Sequence, residues 1–567
     1  MRITNKIMQN NSLTNINNTK VAQDTLSSQI SSGKKIVRPS DDPIVAIRAL
    51  RLRSSVTEIS QYYKSNVPDA EAWLNTTEDA MQQVTEVITD MLKQYTKGSN
   101  EYLKSSDRQI ILEQLKSLRD EVYATGDADY AGRYVFTGYR TETSLKFTED
   151  VNMAYEITEQ LTAADLKMGT HVSTSFKMIE RNADGNPVQD TEANGDPKVD
   201  DEGNPVYKTK DMDLINMQEG TQDSYKDVVE NDIKTTDYYR IRLSYSECDE
   251  MVADGFIPTI SYGFNDNGTD PKKFPATETA KSTDIPSPYD RELTGDEVIY
   301  LADTGELLIS KNVYETLSGL KDDLQTENVN EGEIRVTYQK SSFNKGDLRP
   351  EHYFYCKTPG ADGKFTKDGA NAADDDDIVY NPTYLTNNAE KQIIEYDVGF
   401  NQRLQVNTTA DECFDPAIGR EIDDVIKILE NVDQIENVVT TLEGMLEKSS
   451  DADEKKVLQQ QLDAANKAFT YAKENLQKVF ESGISVMQGF LDQVNVAVTN
   501  CGARGSRLEL IRTRLSSQQT TFETLKSDNE DADLAEVAVQ LTSAELTYEA
   551  ALKATGKIMQ TNLMDFI

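Results

Sequence analysis

The stretch LQQQLDAANKAFTYAKENLQKVFESGISVMQGF at 458–490 decides the fold. Apolar or small residues recur along it at alternating steps of three and four: Leu458, Leu462, Ala465, Phe469, Ala472, Leu476, Val479, Gly483, Val486 and Phe490. After one slipped step the seam continues as Val494, Ala497, Cys501, Arg504, Leu508, Ile511, Leu515, Gln518, Phe522 and Leu525. A stripe this narrow and this long needs a partner helix. A second seam lies near the other end of the chain: Leu52, Val56, Ile59, Tyr63, Asn66, Ala70, Trp73, Thr77, Ala80, Val84, Val87 and Met91. The two seams are expected to close on each other, with the middle of the chain looped out.

Proline marks the limits of that middle. Of 15 prolines, three lie in 1–147, twelve in 148–416 and none in 417–567. Proline removes a backbone donor and clashes with the preceding helical turn, so its absence permits very long helices. Gly33 ends a first helix, and Ser40-Asp41-Asp42-Pro43 starts the next, with a carboxylate for the free amides and proline in the first turn. That helix is expected to run to about Tyr95 with a kink at Pro68. Another spans Ser106 to Gly126 with Ile111, Leu115, Leu118 and Val122 on one face. Past Asp415-Pro416 come a helix with the stripe Ile422, Val425, Leu429, Val432, Ile435, Val439, Leu442 and Leu446, a turn at 449–453, the long seam, and a last helix capped near Asp531 or Asp533.

The middle reads as β-rich. Tyr134 to Tyr139 is strand-like, and Ile394, Tyr396, Val398 and Phe400 alternate as in a half-buried strand. Three near-repeats (Asp184-Gly185-Asn186-Pro187, Asn194-Gly195-Asp196-Pro197, Glu202-Gly203-Asn204-Pro205) supply tight turns. The predicted architecture is a mainly α bundle of long coiled-coil helices from both ends, with a large inserted β-rich (α+β) outer region. Its parts are terminal helices at 1–41 and 521–567, a bundle at 42–147 and 393–520, and an insert at 148–392 that splits into two lobes near 286.

Composition restricts the function. Net charge is −39, and polyanion binding needs a basic face, so nucleic acid is not expected as a partner. Residues 1–55 depart from this, with nine Lys or Arg against three acids, which suits a terminus that docks on acidic neighbours. No run of about 18 apolar residues is present, so no membrane span is expected. The start MRITNKIMQNNSLTN has no apolar core, so no cleaved signal peptide is expected. The four cysteines, Cys248, Cys356, Cys413 and Cys501, are far apart and form no CxxC, which argues against zinc, redox and disulfide chemistry. Two histidines, His171 and His352, offer little for acid–base catalysis and read as ordinary loop or strand residues. The acidic runs Asp374–Asp377 and Asn265–Gly268 lack the spaced oxygens and terminal Glu of a calcium loop. No enzyme, cofactor or metal is therefore expected.

The outermost stripes are weaker than the inner ones. Ile16, Leu26 and Ile30 are interrupted by Thr19 and Gln23, and Leu534, Val537, Leu541, Tyr548, Ile558 and Leu563 by Thr555 and Asn562. Helices of this kind are marginal alone, so these nine apolar residues are the candidate assembly interface, expected to close between molecules.

Several motifs resemble the flagellin superfamily. They are Met1-Arg2-Ile3-Thr4, Ile30-Ser31-Ser32-Gly33-Lys34-Lys35-Ile36, and the pairing of terminal helical segments. Three are closer to its hook-associated branch than to filament flagellin: Arg38-Pro39-Ser40-Asp41-Asp42-Pro43, Gly132-Arg133-Tyr134-Val135-Phe136-Thr137-Gly138, and the C-terminal Asp531-Ala532-Asp533-Leu534-Ala535-Glu536 with Asn562–Ile567. The likeness covers roughly 1–147 and 393–567. It implies an extracellular structural subunit of the bacterial flagellum at the hook–filament junction, exported by the flagellar type III apparatus without a cleaved signal. It also implies terminal helices that are disordered in the monomer and fold on assembly. The implied partners are hook-associated protein 1, flagellin, copies of itself and an export chaperone. The alternative within the superfamily is the filament subunit. An enzyme hosted in the insert and a generic coiled-coil scaffold fit the motifs less well.

Overall fold

The computed structural model describes residues 5–100, 103–172, 175–191, 195–200, 203–213, 228–230, 235–251, 256–264, 271–321, 332–360, 363–365, 376–385 and 392–560. Its helices are α1 (Asn5–Ser32), α2 (Pro43–Gln61), α3 (Val67–Gly98), α4 (Ser105–Thr125), α5 (Lys311–Ser318), α6 (Pro416–Lys448), α7 (Ala452–Glu530) and α8 (Leu534–Gln560). Gly33 ends α1 in the left-handed region, at φ +68°. The Asp42 carboxylate accepts from the amides of Ile44 and Val45, and Pro43 opens α2. The kink expected at Pro68 is a π-turn over Tyr62–Asn66, with the Val67 amide donating to the Tyr62 carbonyl. Proline cannot donate into the ladder, and the widened turn just before it absorbs the mismatch.

The chain forms two compact units, whose limits differ from the expected ones. The first holds residues 1–72, 395–406 and 503–567. It contains α1, α2, α8, the end of α7, and a hairpin of Glu395–Gly399 with Gln402–Gln405. In the hairpin, Val398 is buried while Phe400 stands at the turn, 44% exposed, and meets Tyr62 edge-on at 5.7 Å. The cuts fall inside α3 and α7, since a continuous helix has no loop at which to divide.

The second unit holds 73–394 and 407–502, so the insert is not a domain of its own. A six-stranded antiparallel sheet runs, edge to edge, Lys272–Pro275, Thr259–Tyr262, Ile334–Lys340, Tyr155–Leu161, Tyr355–Thr358 and Ile378–Tyr380. A five-stranded sheet runs Glu278–Ala280, Val298–Leu301, Glu306–Ile309, Thr235–Arg242 and Leu166–Val172. Ile157, Val336 and Tyr338 of the first share one apolar core with Ile241, Tyr300 and Leu307 of the second, and Val313 and Leu317 of α5 join it. No lobe boundary falls at 286. The strands on either side of it, Glu278–Ala280 and Val298–Leu301, pair in parallel in one sheet. The strand expected at 134–139 stops at Tyr134, after a hairpin turn with positive φ at Ala131 and Gly132. Val135 and Phe136 are nevertheless buried. Of the three near-repeats, Gly185, Gly195 and Gly203 all take positive φ as the turns require, while Asn194 and Glu202 lie outside the described residues.

Buried charge ties the sandwich to α6. Arg240 bonds Asp424 of α6 at 2.8 Å and also contacts Glu306, and Tyr289 donates to Glu306 at 2.6 Å. Arg420 of α6 donates to the Leu243 carbonyl at 3.0 Å. A charge this deep persists only when paired, so these contacts fix where the helix meets the sheet. In the same unit α3 and α7 run antiparallel: Tyr95 packs against Gly483, and Gly98 against Phe480. All four cysteines are buried, and none forms a disulfide. No group of metal-ligating side chains occurs among the described residues. Asn265–Gly268, Asp374 and Asp375 lie outside them, so the acidic runs are described only at Asp376 and Asp377.

Candidate assembly interface

The joint between the terminal helices and the rest of the first unit is built from the loops 33–42 and 531–533. Gly33 turns the chain out of α1, and its amide donates to Gln29. The next residues zip against the end of α7: the Lys35 amide donates to the Glu530 carbonyl at 2.7 Å, and the Ala532 amide to the Gly33 carbonyl at 3.0 Å. Asp41 gathers the Arg38 amide at 2.8 Å, and Asp533 caps α8 through the amides of Ala535 and Glu536.

One carboxylate sits at the centre. Glu530 is 3% exposed, and Arg53 of α2 grips it through two bonds of 2.6 and 2.7 Å. Lys34 reaches it at 3.5 Å and also bonds Asp531. The bonds from Arg53 hold the Glu530 carboxyl below its ordinary range, against the opposing effect of burial. Bidentate Arg–carboxylate pairs carry direction as well as energy, so this pair fixes α2 against the end of α7. Further along, Asn529 bonds the Val45 carbonyl at 3.2 Å and Arg512 bonds Glu71 at 2.9 Å, as antiparallel helices require. The basic bias of residues 1–55 signalled this joint. The individual partners were not legible, because Arg53 and Glu530 are 477 positions apart.

Beyond the joint, α1 runs along α8. Since α1 ends and α8 begins at the same place, the two are antiparallel. This corrects one expectation: the two weak stripes meet within one chain. Ile16 and Val537 are each 8% exposed, Leu26, Leu541 and Tyr548 are half-buried, and Ile30 and Leu534 are exposed. The Ile558 side chain and all of Leu563 lie outside the described residues. The same geometry exposes apolar residues that the pattern did not single out. On α8 they are Val539 and Leu546, each 71% exposed and two turns apart on one face. On α2 they are Ile44, Ile47 and Leu50. The signal in the sequence for the pair on α8 was a second apolar face on that helix, while a single partner can cover one.

Comparison with known proteins bears first on the N-terminal segment. Residues 3–141 match the family model of the bacterial flagellin N-terminal helical region. Flagellar hook-associated protein 3 of Escherichia coli is 31% identical over 193 residues, 33% of this chain and 60% of that protein. Its counterpart in Salmonella typhimurium is 31% identical over 145 residues, 25% of this chain and 45% of that protein. The chain thus spans about half the length of these curated relatives. Both carry the name of the hook-associated branch to which the terminal motifs point. Among solved structures, a flagellar hook-associated protein of Vibrio parahaemolyticus aligns over 87% of this chain and all of its own, at 12% identity and a TM-score of 0.32. Hook-associated protein 3 of Legionella pneumophila aligns over 84% and 97%, at 11% identity and a TM-score of 0.28. Superpositions this weak carry no weight.

Proposed function

We propose that this chain is a structural subunit of the bacterial flagellum, a hook-associated protein 3 located at the hook–filament junction. The observation that carries this reading is the pairing of the two chain ends through the Arg53–Glu530 joint, in a chain whose N-terminal segment matches flagellin and whose relatives are hook-associated proteins. A subunit that polymerises through its ends needs them to be adjacent, aimed together and only weakly stable alone. The α1–α8 seam meets the last condition: among the described residues only Ile16, Val537 and Thr555 on it are buried. Each fully buried aliphatic side chain contributes about 1.5–3 kcal/mol, too little to order two helices of this length against their conformational entropy. The terminal helices are therefore disordered in the free subunit and order when copies pack together.

The outward residues Val539 and Leu546 then serve contacts between molecules, while Val537, Leu541 and Tyr548 close the pair within each one. The neighbours are hook-associated protein 1 on one side and flagellin on the other, with an export chaperone holding α8 before secretion through the type III apparatus. Labelled protein imaged on flagella tests the reading. Signal confined to a band at the base of the filament supports it. Signal along the whole filament assigns the chain as the filament subunit, and absence from flagella removes both. A chain lacking 1–32 or 534–567 is expected to keep a folded core and fail to join the structure.

A further inference from the structure

The sandwich carries a polar recess that the assembly reading does not use. It is a cavity of about 290 Å³ between the end of the strand Thr235–Arg242, the start of α6 and the turn around Tyr353. Two side chains that line it carry donor atoms without a hydrogen bond among the described residues. The Arg242 side chain is 6% exposed and its Nη1 lies between Asp424 and Glu306, while its Nε and Nη2 have no hydrogen-bond partner among the described residues. Tyr353 is 7% exposed, and its hydroxyl likewise has none. Buried donors of this kind cost stability unless something accepts from them.

The lining restricts what that can be. Glu159, Asp165, Asp411, Asp415 and Glu421 face the cavity against three cations, Lys167, Arg242 and Arg420. Five acids against three cations disfavour a free anion. The guanidinium groups of Arg242 and Arg420 disfavour a metal ion. An apolar ligand would leave the Tyr353 hydroxyl and the Arg242 Nε and Nη2 without an acceptor. The remaining class is a neutral molecule whose groups both donate and accept around one small body. The Phe354 ring, which also lines the cavity, supplies an apolar wall. Asp165 and Asp411 are exposed, so the recess opens to solvent at that side.

The geometry points to a binding site for a neutral polyhydroxylated ligand, a single sugar ring of a glycan, in which Arg242 and Tyr353 donate to ring hydroxyls and Asp411 and Asp415 accept from them. A hexose fits within the volume, at the small end of ligand-sized pockets. The site stands independently of the terminal helices and of where the subunit assembles.

Saturation-transfer NMR on the full chain, with glucose, galactose and N-acetylglucosamine as probes and sodium acetate and sodium phosphate as anion arms, tests this. Saturable binding of at least one sugar is expected, weakened about tenfold in Tyr353→Phe, where one hydrogen bond is lost. Tyr353→Phe keeps the ring and removes a hydroxyl without a protein partner, so the fold survives it. Asp411→Asn, at the exposed side, provides a second variant and weakens the same sugar. Binding of acetate or phosphate in place of the sugars overturns the proposal. So does sugar binding that both variants leave unchanged, or the absence of any saturable binding.

Discussion

Glu306 shows how much one buried side chain decides. Burial alone would push its carboxyl up, but Arg240 and Arg242 outweigh that and hold it at about 2. A depressed carboxyl contributes stability that is present above its unfolded pKa and is lost as pH falls through the folded one. The attachment of the sandwich to α6 is therefore expected to weaken as pH drops from about 4.5 toward 2. Arg240→Ala leaves Glu306 and Asp424 short of a partner and is expected to cost about 3–5 kcal/mol in urea unfolding at neutral pH. His352 acts in a higher window. It is 7% exposed, donates toward the Ser144 carbonyl at 3.0 Å, and is held at about 4 because burial disfavours its charged form. Between about 6.5 and 4 the unfolded chain takes up a proton that the folded chain refuses, so stability falls with pH there. His352→Gln is expected to flatten that part of a stability-versus-pH curve and to leave the part below pH 4 unchanged. Neither role was legible in sequence. A histidine two residues after a proline reads as a loop residue, and Glu306 has no partner nearby in the chain.

At the scale of elements, the heptad pattern gave α7 its existence and its buried face but misplaced one step. The buried positions run Leu476, Phe480, Gly483, Met487 and Val494, with Val479 and Val486 only half-buried. The slip therefore falls at 468–480, where Ala468, Ala472, Leu476 and Phe480 make three successive steps of four, and not before Val494. The partner seam shifts in the same way: Ile88 is buried and Val87 is half-buried. Valine and its apolar neighbour are equal candidates by pattern alone, and only the facing helix chooses between them. Tyr95 makes that choice here. A Cβ on Gly483 would lie 2.2 Å from its ring, and Tyr95 has no exposed surface into which to move. Gly483→Ala is expected to destabilise by about 1–2 kcal/mol, because overpacking outweighs the better helix propensity of alanine. Urea unfolding at neutral pH measures it. An increase in stability would mean the ring relaxes freely.

For the whole molecule, the ends work as a pair. In the free full-length subunit the amides of α1 and α8 are expected to exchange fast, while the strands of the sandwich exchange slowly. Protection of α1 and α8 equal to that of α7 in the free subunit would overturn their disorder before assembly. The long helices, their caps, the looped-out β-rich middle and the ends as the region to inspect were all legible in the order of the amino acids. These follow from local rules of periodicity, proline placement and capping, which act within a few residues. That α1 closes on α8, that Arg53 grips Glu530 and that the insert is bound to α6 by buried charge became visible in the folded chain alone. Each of those joins residues more than 170 positions apart, and the energy of such a contact depends on burial and on geometry that no local pattern encodes.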